Sequence, residues 1–205
     1  MNYYPPRSST GIDTRPLPVL LADFKDQMRI DGDGQDRLLM QKIAAATIEI
    51  EHYLQRPIIA GGYVLILPRF PSVALDGSTS IKIPNSPARS IEAVKYIDEN
   101  DVLQTIDSAA YDLVSAGTYH TIAPATDMSW PTTQTVDDAV SVEYTAGLAL
   151  TPEEVPADLR EAVMLRAGTR LAVTEEVGMS PRQPWSIAAD IAVVSMIRPY
   201  CLMSA

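Results

Sequence analysis

The clearest pattern in the chain is a run between Asp36 and Leu54 in which apolar side chains recur every three or four residues. This spacing places them on one side of an α-helix about 28 Å long. Polar side chains occupy the other sides, and Pro57 prevents the helix from continuing. We therefore expect a central packing helix whose seam consists of Leu39, Ile43, Ala46, Ile50 and Tyr53.

The N-terminal part of the chain divides into an arm and a pair of helices. Residues 1–17 are rich in proline and serine and show no hydrophobic period, so we expect an arm that orders only against a partner. A second apolar pattern opens at Pro18, and the segment DGDG after Ile30 separates it from the central helix. Residues 18–58 are thus predicted to form a helical hairpin.

From residue 59 to residue 146 the pattern changes from helical to alternating. Proline, glycine and aspartate clusters separate the alternating runs at the spacing typical of an antiparallel sheet or small barrel. The runs predict seven strands, at residues 63–67, 80–83, 91–97, 102–106, 111–114, 119–122 and 140–144.

Helical periodicity returns at Pro156, and residues 147–177 are predicted to complete the helical framework. The proline-rich run GMSPRQPW then opens a segment of residues 178–205, in which a short last helix is expected before Pro199. Because the chain leaves and returns to helix, we interpret the β-rich module as an insertion. The predicted fold class is α+β, with a framework of an N-terminal helical hairpin and C-terminal helices around an inserted antiparallel β-rich module.

Charge narrows the possible partners. The 26 acidic and 16 basic residues give a formal net charge of −10, and a negative protein repels phosphate. Tight nucleic-acid binding is therefore disfavoured. The single cysteine, Cys201, excludes an internal disulfide, and neither a secretory signal nor an apolar run of membrane-spanning length is present, so we expect no membrane association.

The sequence offers no constellation of catalytic residues. His52 and His120 have no motif around them, and the signatures of serine hydrolases, zinc proteases and phosphate-binding loops are absent. The acidic turn resembles the start of a calcium loop, but Asp36 and Lys42 stand where glycine and glutamate are required. We predict no enzyme activity, no cofactor, and no catalytic, cofactor-binding or metal-binding residues.

Several motifs, in a fixed order, resemble those of phage head-tail connector proteins, also called head-tail adaptor or head completion proteins, of long-tailed phages and related gene-transfer particles. The run LLADFKDQMRIDGDGQDRLLMQKIAAATIEIEHYLQRPII resembles the family's N-terminal signature, a K-x-x-[LM]-R-[IV] segment and an acidic turn before a long helix. Further segments of the chain resemble the family's later motifs, so that the resemblance covers residues 18–201. These segments are IPNSPARSIEAVKYID, Trp130-Pro131, AVSVEYTAG, VPADLREAVMLRAG and IAVVSMIRPYC.

This resemblance implies a structural protein of the virion neck, assembled in the bacterial cytoplasm. Members form a homo-oligomeric ring, usually of twelve copies, between the portal and the next tail component, a stopper or tail terminator, and DNA passes through without specific binding. The resemblance also implies that the C-terminal segment, residues 178–205, docks on the portal. The predicted portal-docking residues are Ile187, Ile191, Val194, Ile197, Arg198, Pro199 and Tyr200.

Aromatic residues in the β-rich module leave an alternative open. Such side chains could line a sugar site, although strands also favour aromatic residues for packing. The alternative function is a carbohydrate-binding or other tail-associated interaction module, and its candidate aromatic residues are Tyr96, Tyr111, Tyr119, Trp130 and Tyr144.

Overall fold

The computed structural model describes residues 2–4, 15–71, 79–117, 119–176 and 185–202, with only the backbone for residues 2–4, 116, 173–176 and 185–189. The chain divides into two compact units. The β unit comprises Met1–Thr14 and Ala60–Gly147, and the helical unit comprises Arg15–Ile59 and Leu148–Ala205. The chain thus leaves the helical unit after Ile59 and returns to it at Leu148.

The described residues of the helical unit form four α-helices: α1 (Leu21–Met28), α2 (Asp36–Leu54), α3 (Ala157–Glu176) and α4 (Trp185–Ile197). The bounds predicted for α2 agree with the structure. The helix ends because Gln55 adopts a left-handed conformation, with φ of 58°, and donates its backbone N–H to the carbonyl of Glu51.

The core of the helical unit is built from apolar residues of all four helices. Phe24, Leu39, Ile43, Leu54 and Leu159 are fully buried in it. The short connections before and after the β unit also contribute, because Ile58 and Ile59 are buried there and the N–H of Ala149 donates to the carbonyl of Ile58 at 2.9 Å. These contacts join the two halves of the helical unit, which are separated in sequence by the β unit.

The seam of α2 differs from the sequence prediction at its last position. Leu39, Ile43, Ala46 and Ile50 are buried, but Tyr53 is 50% exposed. Leu54, one residue further, is fully buried instead. A step of four residues after Ile50 keeps the side chain closer to the face that α3 covers than a step of three does, so the prediction for Tyr53 as a buried seam residue is wrong.

Within the part of the β unit that the structure describes, eight strands form two antiparallel sheets. A five-stranded sheet has the order β1 (Asn2–Tyr4), β2 (Gly61–Leu67), β8 (Val140–Ala146), β4 (Ala88–Ile97) and β5 (Leu103–Ile106). A three-stranded sheet has the order β3 (Ile81–Ile83), β7 (Tyr119–Pro124) and β6 (Tyr111–Ala116). The seven predicted strands and the α+β fold class are confirmed. Strand β1 lies in the arm that was expected to order only against a partner, and this expectation is wrong for Asn2–Tyr4, which pairs with β2 of the same chain.

Strand β8 is central to the larger sheet because it pairs with both β2 and β4. Its burial alternates strictly, with Val140, Val142, Tyr144 and Ala146 buried and the intervening residues half-buried. This is the pattern of a strand with one face on a core. Leu65 of β2, Val94 of β4 and Ile122 of β7, a strand of the smaller sheet, belong to the same core.

Candidate interaction surface

The helix α4 presents one buried side and one exposed side. Val193 and Ile197 are 7% and 2% exposed and belong to the core of the helical unit. Ile191 and Val194 are 67% and 39% exposed. The side chain of Ile187 lies outside the described residues. The predicted stripe on α4 is therefore divided, since Val193 and not Ile191 packs inward.

The residues after α4 also contact the helical unit. Tyr200 donates its hydroxyl hydrogen to the carboxylate of Asp158, with both oxygens at 2.9 Å, and the N–H of Leu202 donates to the carbonyl of Leu54 at 3.1 Å. Burial, together with the negative charge of Asp158, raises the pKa of Tyr200. Ile197 and Tyr200 were predicted to face a partner, but they pack on their own chain because α2 and α3 present an apolar surface that α4 covers. Arg198 and Pro199 remain exposed.

A groove of about 190 Å³ lies between α2 and α4. The exposed side chain of Tyr53 lines one side of this groove, and Val194 lines the other. Most of the lining is apolar, and its complete set is Glu49, Ile50, Tyr53, Arg166, Asp190, Val193, Val194 and Ile197.

A network of four charged side chains borders the groove and joins α2, α3 and α4. Arg166 donates from Nε to Glu49 Oε2 at 2.9 Å and also binds Asp190. Arg170 donates from Nη2 to Glu49 Oε2 at 2.6 Å. Hydrogen bonds from Arg166 first, and then from Arg170, hold the pKa of Glu49 below its ordinary value, although partial burial acts in the opposite direction. The network fixes charged groups at the edge of an apolar surface.

The lowered pKa of Glu49 predicts a pH dependence of stability. A carboxyl whose pKa is lowered by folding contributes stability above its unfolded pKa, near 4.5, and this contribution is lost as the pH falls through the lower folded value. Because the side chain of Glu49 is 37% exposed, solvent screening keeps this contribution to stability below about 1 kcal/mol. We expect Glu49→Gln to have a lower free energy of unfolding than the wild type near neutral pH. On acidification, we expect the free energy of unfolding to fall less in Glu49→Gln than in the wild type.

Urea unfolding of both proteins near neutral pH and at about pH 3 measures this difference. Glu99→Gln is the matched control, because Glu99 is exposed and none of the described residues pairs with it. Equal losses on acidification in the wild type and Glu49→Gln would contradict the prediction.

The aromatic residues of the β unit are used largely for internal packing. The rings of Phe70 and Trp130 are stacked with centroids 4.8 Å apart, and Trp130 Nε1 donates to the carbonyl of Thr79 at 2.6 Å. Tyr111 and Tyr144 are 8% and 1% exposed. Of the candidate sugar-binding residues, Tyr111 and Tyr144 therefore present little ring surface to a ligand, and one face of the Trp130 ring is covered by Phe70.

The described residues hold neither a cluster of metal-ligating side chains nor a helix able to cross a membrane. No cluster of three or more histidine, cysteine or acidic side chains suited to a metal ion occurs among them. Within the same residues, none of the helices combines the length and hydropathy needed to cross a bilayer.

Comparison with known proteins gives one family match and several similar folds. The model of the family described as "Phage gp6-like head-tail connector protein" matches residues 19–125. No curated protein sequence matches the chain.

Chains of similar fold occur in solved structures of gene transfer agent (GTA) particles, including the following three. A chain of the "Neck of empty GTA particle computed with C6 symmetry" has a TM-score of 0.67 at 19% identity, with 100% of this chain and 96% of that chain covered. A chain of the "Neck of native GTA particle computed with C12 symmetry" has a TM-score of 0.68 at 20% identity, covering 100% and 97%. A chain of the "Virion of native gene transfer agent (GTA) particle" has a TM-score of 0.69 at 21% identity, covering 90% of each chain. At these identities the likeness concerns the fold.

Proposed function

The chain belongs to the phage gp6-like head-tail connector protein family, and on that premise we propose that it forms a ring in the neck of a phage-like particle, where it joins the portal of the capsid to the tail. The family is structural and not enzymatic. The observation that carries the proposal is the family match together with the fold, which spans nearly the full length of chains from the necks of GTA particles.

The ring is proposed from the symmetry of those similar neck structures, which were computed with C6 and C12 symmetry. Twelve copies are the proposed number. One end of the ring contacts the portal and the other contacts the next tail component, a stopper or tail terminator. Four residues of the predicted portal-docking set are exposed: Ile191, Val194, Arg198 and Pro199. We assign the portal contact to Arg198 and Pro199, which follow the end of α4.

The test is electron microscopy of the purified protein, alone and with a portal from a related particle. We expect rings with a central hole, and retention of the protein by the immobilised portal. Arg198→Glu is expected to reduce that retention, whereas Arg69→Glu, a charge reversal in the β unit, is the control. Isolated monomers that bind glycans and not the portal would instead favour the carbohydrate-binding alternative.

Passage of DNA without adhesion is the second part of the proposal. It is supported by the net charge of −10, because a negative surface releases no counterions from the duplex. We expect no binding to duplex DNA at micromolar protein concentration and physiological salt. Fluorescence anisotropy with a labelled duplex measures this, and a salt-sensitive dissociation constant below about 1 μM would contradict it.

A further inference from the structure

The first of two exposed apolar patches on the helical unit lies on the side of α2 away from the seam. We call it the outer patch; it consists of Leu38, Met40 and Ile48, all of which are exposed. Because a helix turns by about 100° per residue, Leu38 and Met40 lie about 80° to either side of Ile48. Ala44 and Ala45, half-buried between them, leave room for a partner to approach closely.

The second patch lies at the groove between α2 and α4. We call it the groove patch; it consists of Tyr53, Ile191 and Val194, which are also exposed. Tyr53 is five residues after Ile48 on α2, so the two side chains point about 140° apart around the helix axis. The outer patch and the groove patch are therefore separate surfaces that face different directions.

Two such surfaces suit a closed ring. In a ring of heterologous contacts each copy uses one surface toward the copy before it and a different surface toward the copy after it. For twelve copies, successive members are rotated by about 30°, so the two surfaces face directions about 150° apart. On the premise of the ring proposed above, we propose that the outer patch of one copy packs into the groove patch of the next copy.

The charges beside the two patches are complementary. Every acidic residue of α2 is paired within the chain: Asp36 with Lys25, Glu49 with two arginines, and Glu51 with Arg15. The exposed charge next to the outer patch is therefore positive, that of Arg37. At the edge of the groove patch, Asp190 pairs with Arg166 of its own chain, but its side chain is 56% exposed and its carboxylate can accept further hydrogen bonds.

This arrangement also divides the exposed residues near the C-terminus between two partners. Ile191 and Val194, at the middle of α4, contact the neighbouring copy. Arg198 and Pro199, after the end of α4, remain for the portal. The two contacts can then be disrupted separately.

A pair of variants tests the head-to-tail contact. Ile48→Glu damages the outer patch and Ile191→Glu damages the groove patch, and neither position belongs to the core. Each variant alone is expected to self-associate at least about 30-fold more weakly than the wild type, the change typical of losing a central interface residue. When the two variants are mixed, one outer patch and one groove patch remain intact, so a one-to-one heterodimer is expected and no ring.

Sedimentation velocity distinguishes monomer, heterodimer and ring, and circular dichroism with thermal melting verifies that each variant is folded. Leu150→Glu is the matched control, because Leu150 is 53% exposed in the helical unit and belongs to neither patch. It is expected to assemble as the wild type does.

The results that would contradict this contact differ from the results that would contradict the proposed ring. A wild-type chain that stays monomeric up to about 1 mM would overturn the ring, and this contact with it. Normal assembly of both variants would overturn this contact and leave the ring in place. Variants that assemble poorly but give no heterodimer on mixing would show that the interface is not head-to-tail. Ile191→Glu that assembles but no longer binds the portal would assign the groove patch to the portal.

Discussion

Removal of residues 187–205 is expected to lower the melting temperature of the helical unit by on the order of 10 °C. The deletion exposes the core that Val193 and Ile197 cover, and burial of each such side chain is worth about 1.5 to 3 kcal/mol. It also removes Asp190 from Arg166 and Tyr200 from Asp158. For a chain of this size, each kcal/mol changes the melting temperature by about 2 to 4 °C.

Thermal melting followed by circular dichroism measures this effect, and two point variants provide matched controls. Ile197→Ala removes a side chain that is 2% exposed, and Ile191→Ala removes the same atoms from a side chain that is 67% exposed on the same helix. We expect the first to melt several degrees earlier and the second to melt with the wild type. A truncated protein with an unchanged melting temperature would show that the segment serves only to bind a partner.

Ile43→Ala is expected to destabilise the helical unit by about 2 to 5 kcal/mol. Ile43 is fully buried at the middle of the α2 seam, so the substitution loses the transfer free energy of the removed atoms and leaves a cavity. Urea unfolding at low protein concentration measures the loss without a contribution from self-association.

Ile48→Ala is the control for this prediction, because it makes the same chemical change five residues later on the same helix, where the side chain is 48% exposed. We expect it to change the free energy of unfolding by less than about 0.5 kcal/mol. Comparable losses in the two variants would mean that α2 does not pack through the seam containing Ile43.

The helices and strands could be predicted from the sequence wherever a strong period was bounded by residues that interrupt it. The bounds of α2 followed from a regular apolar stripe, the acidic turn before it and Pro57 after it. Strands β2 to β8 followed from alternation between proline, glycine and aspartate clusters. These signals are local, because backbone geometry alone sets periods of 3.6 and 2 residues.

The candidate interaction surface was predicted only in part. Ile191 and Val194 were expected to be available to a partner and are exposed, but Ile197 and Tyr200 pack on their own chain. The segment WSIAADIAVVSMI is apolar around most of its circumference, so its sequence does not indicate which side packs inward. That choice depends on the direction from which α2 and α3 approach it.

The sequence by itself thus determined the fold class, the family and the order of the helices and of strands β2 to β8, since these depend on local periodicity and on motifs along the chain. Tertiary structure alone decided that Leu54 and not Tyr53 ends the seam, that β8 lies between β2 and β4, and that Glu49 binds Arg166 and Arg170. Glu49 and Arg166 are separated by 117 positions in the chain. Contacts of this kind arise from the packing of whole elements, which no local pattern of polar and apolar residues specifies.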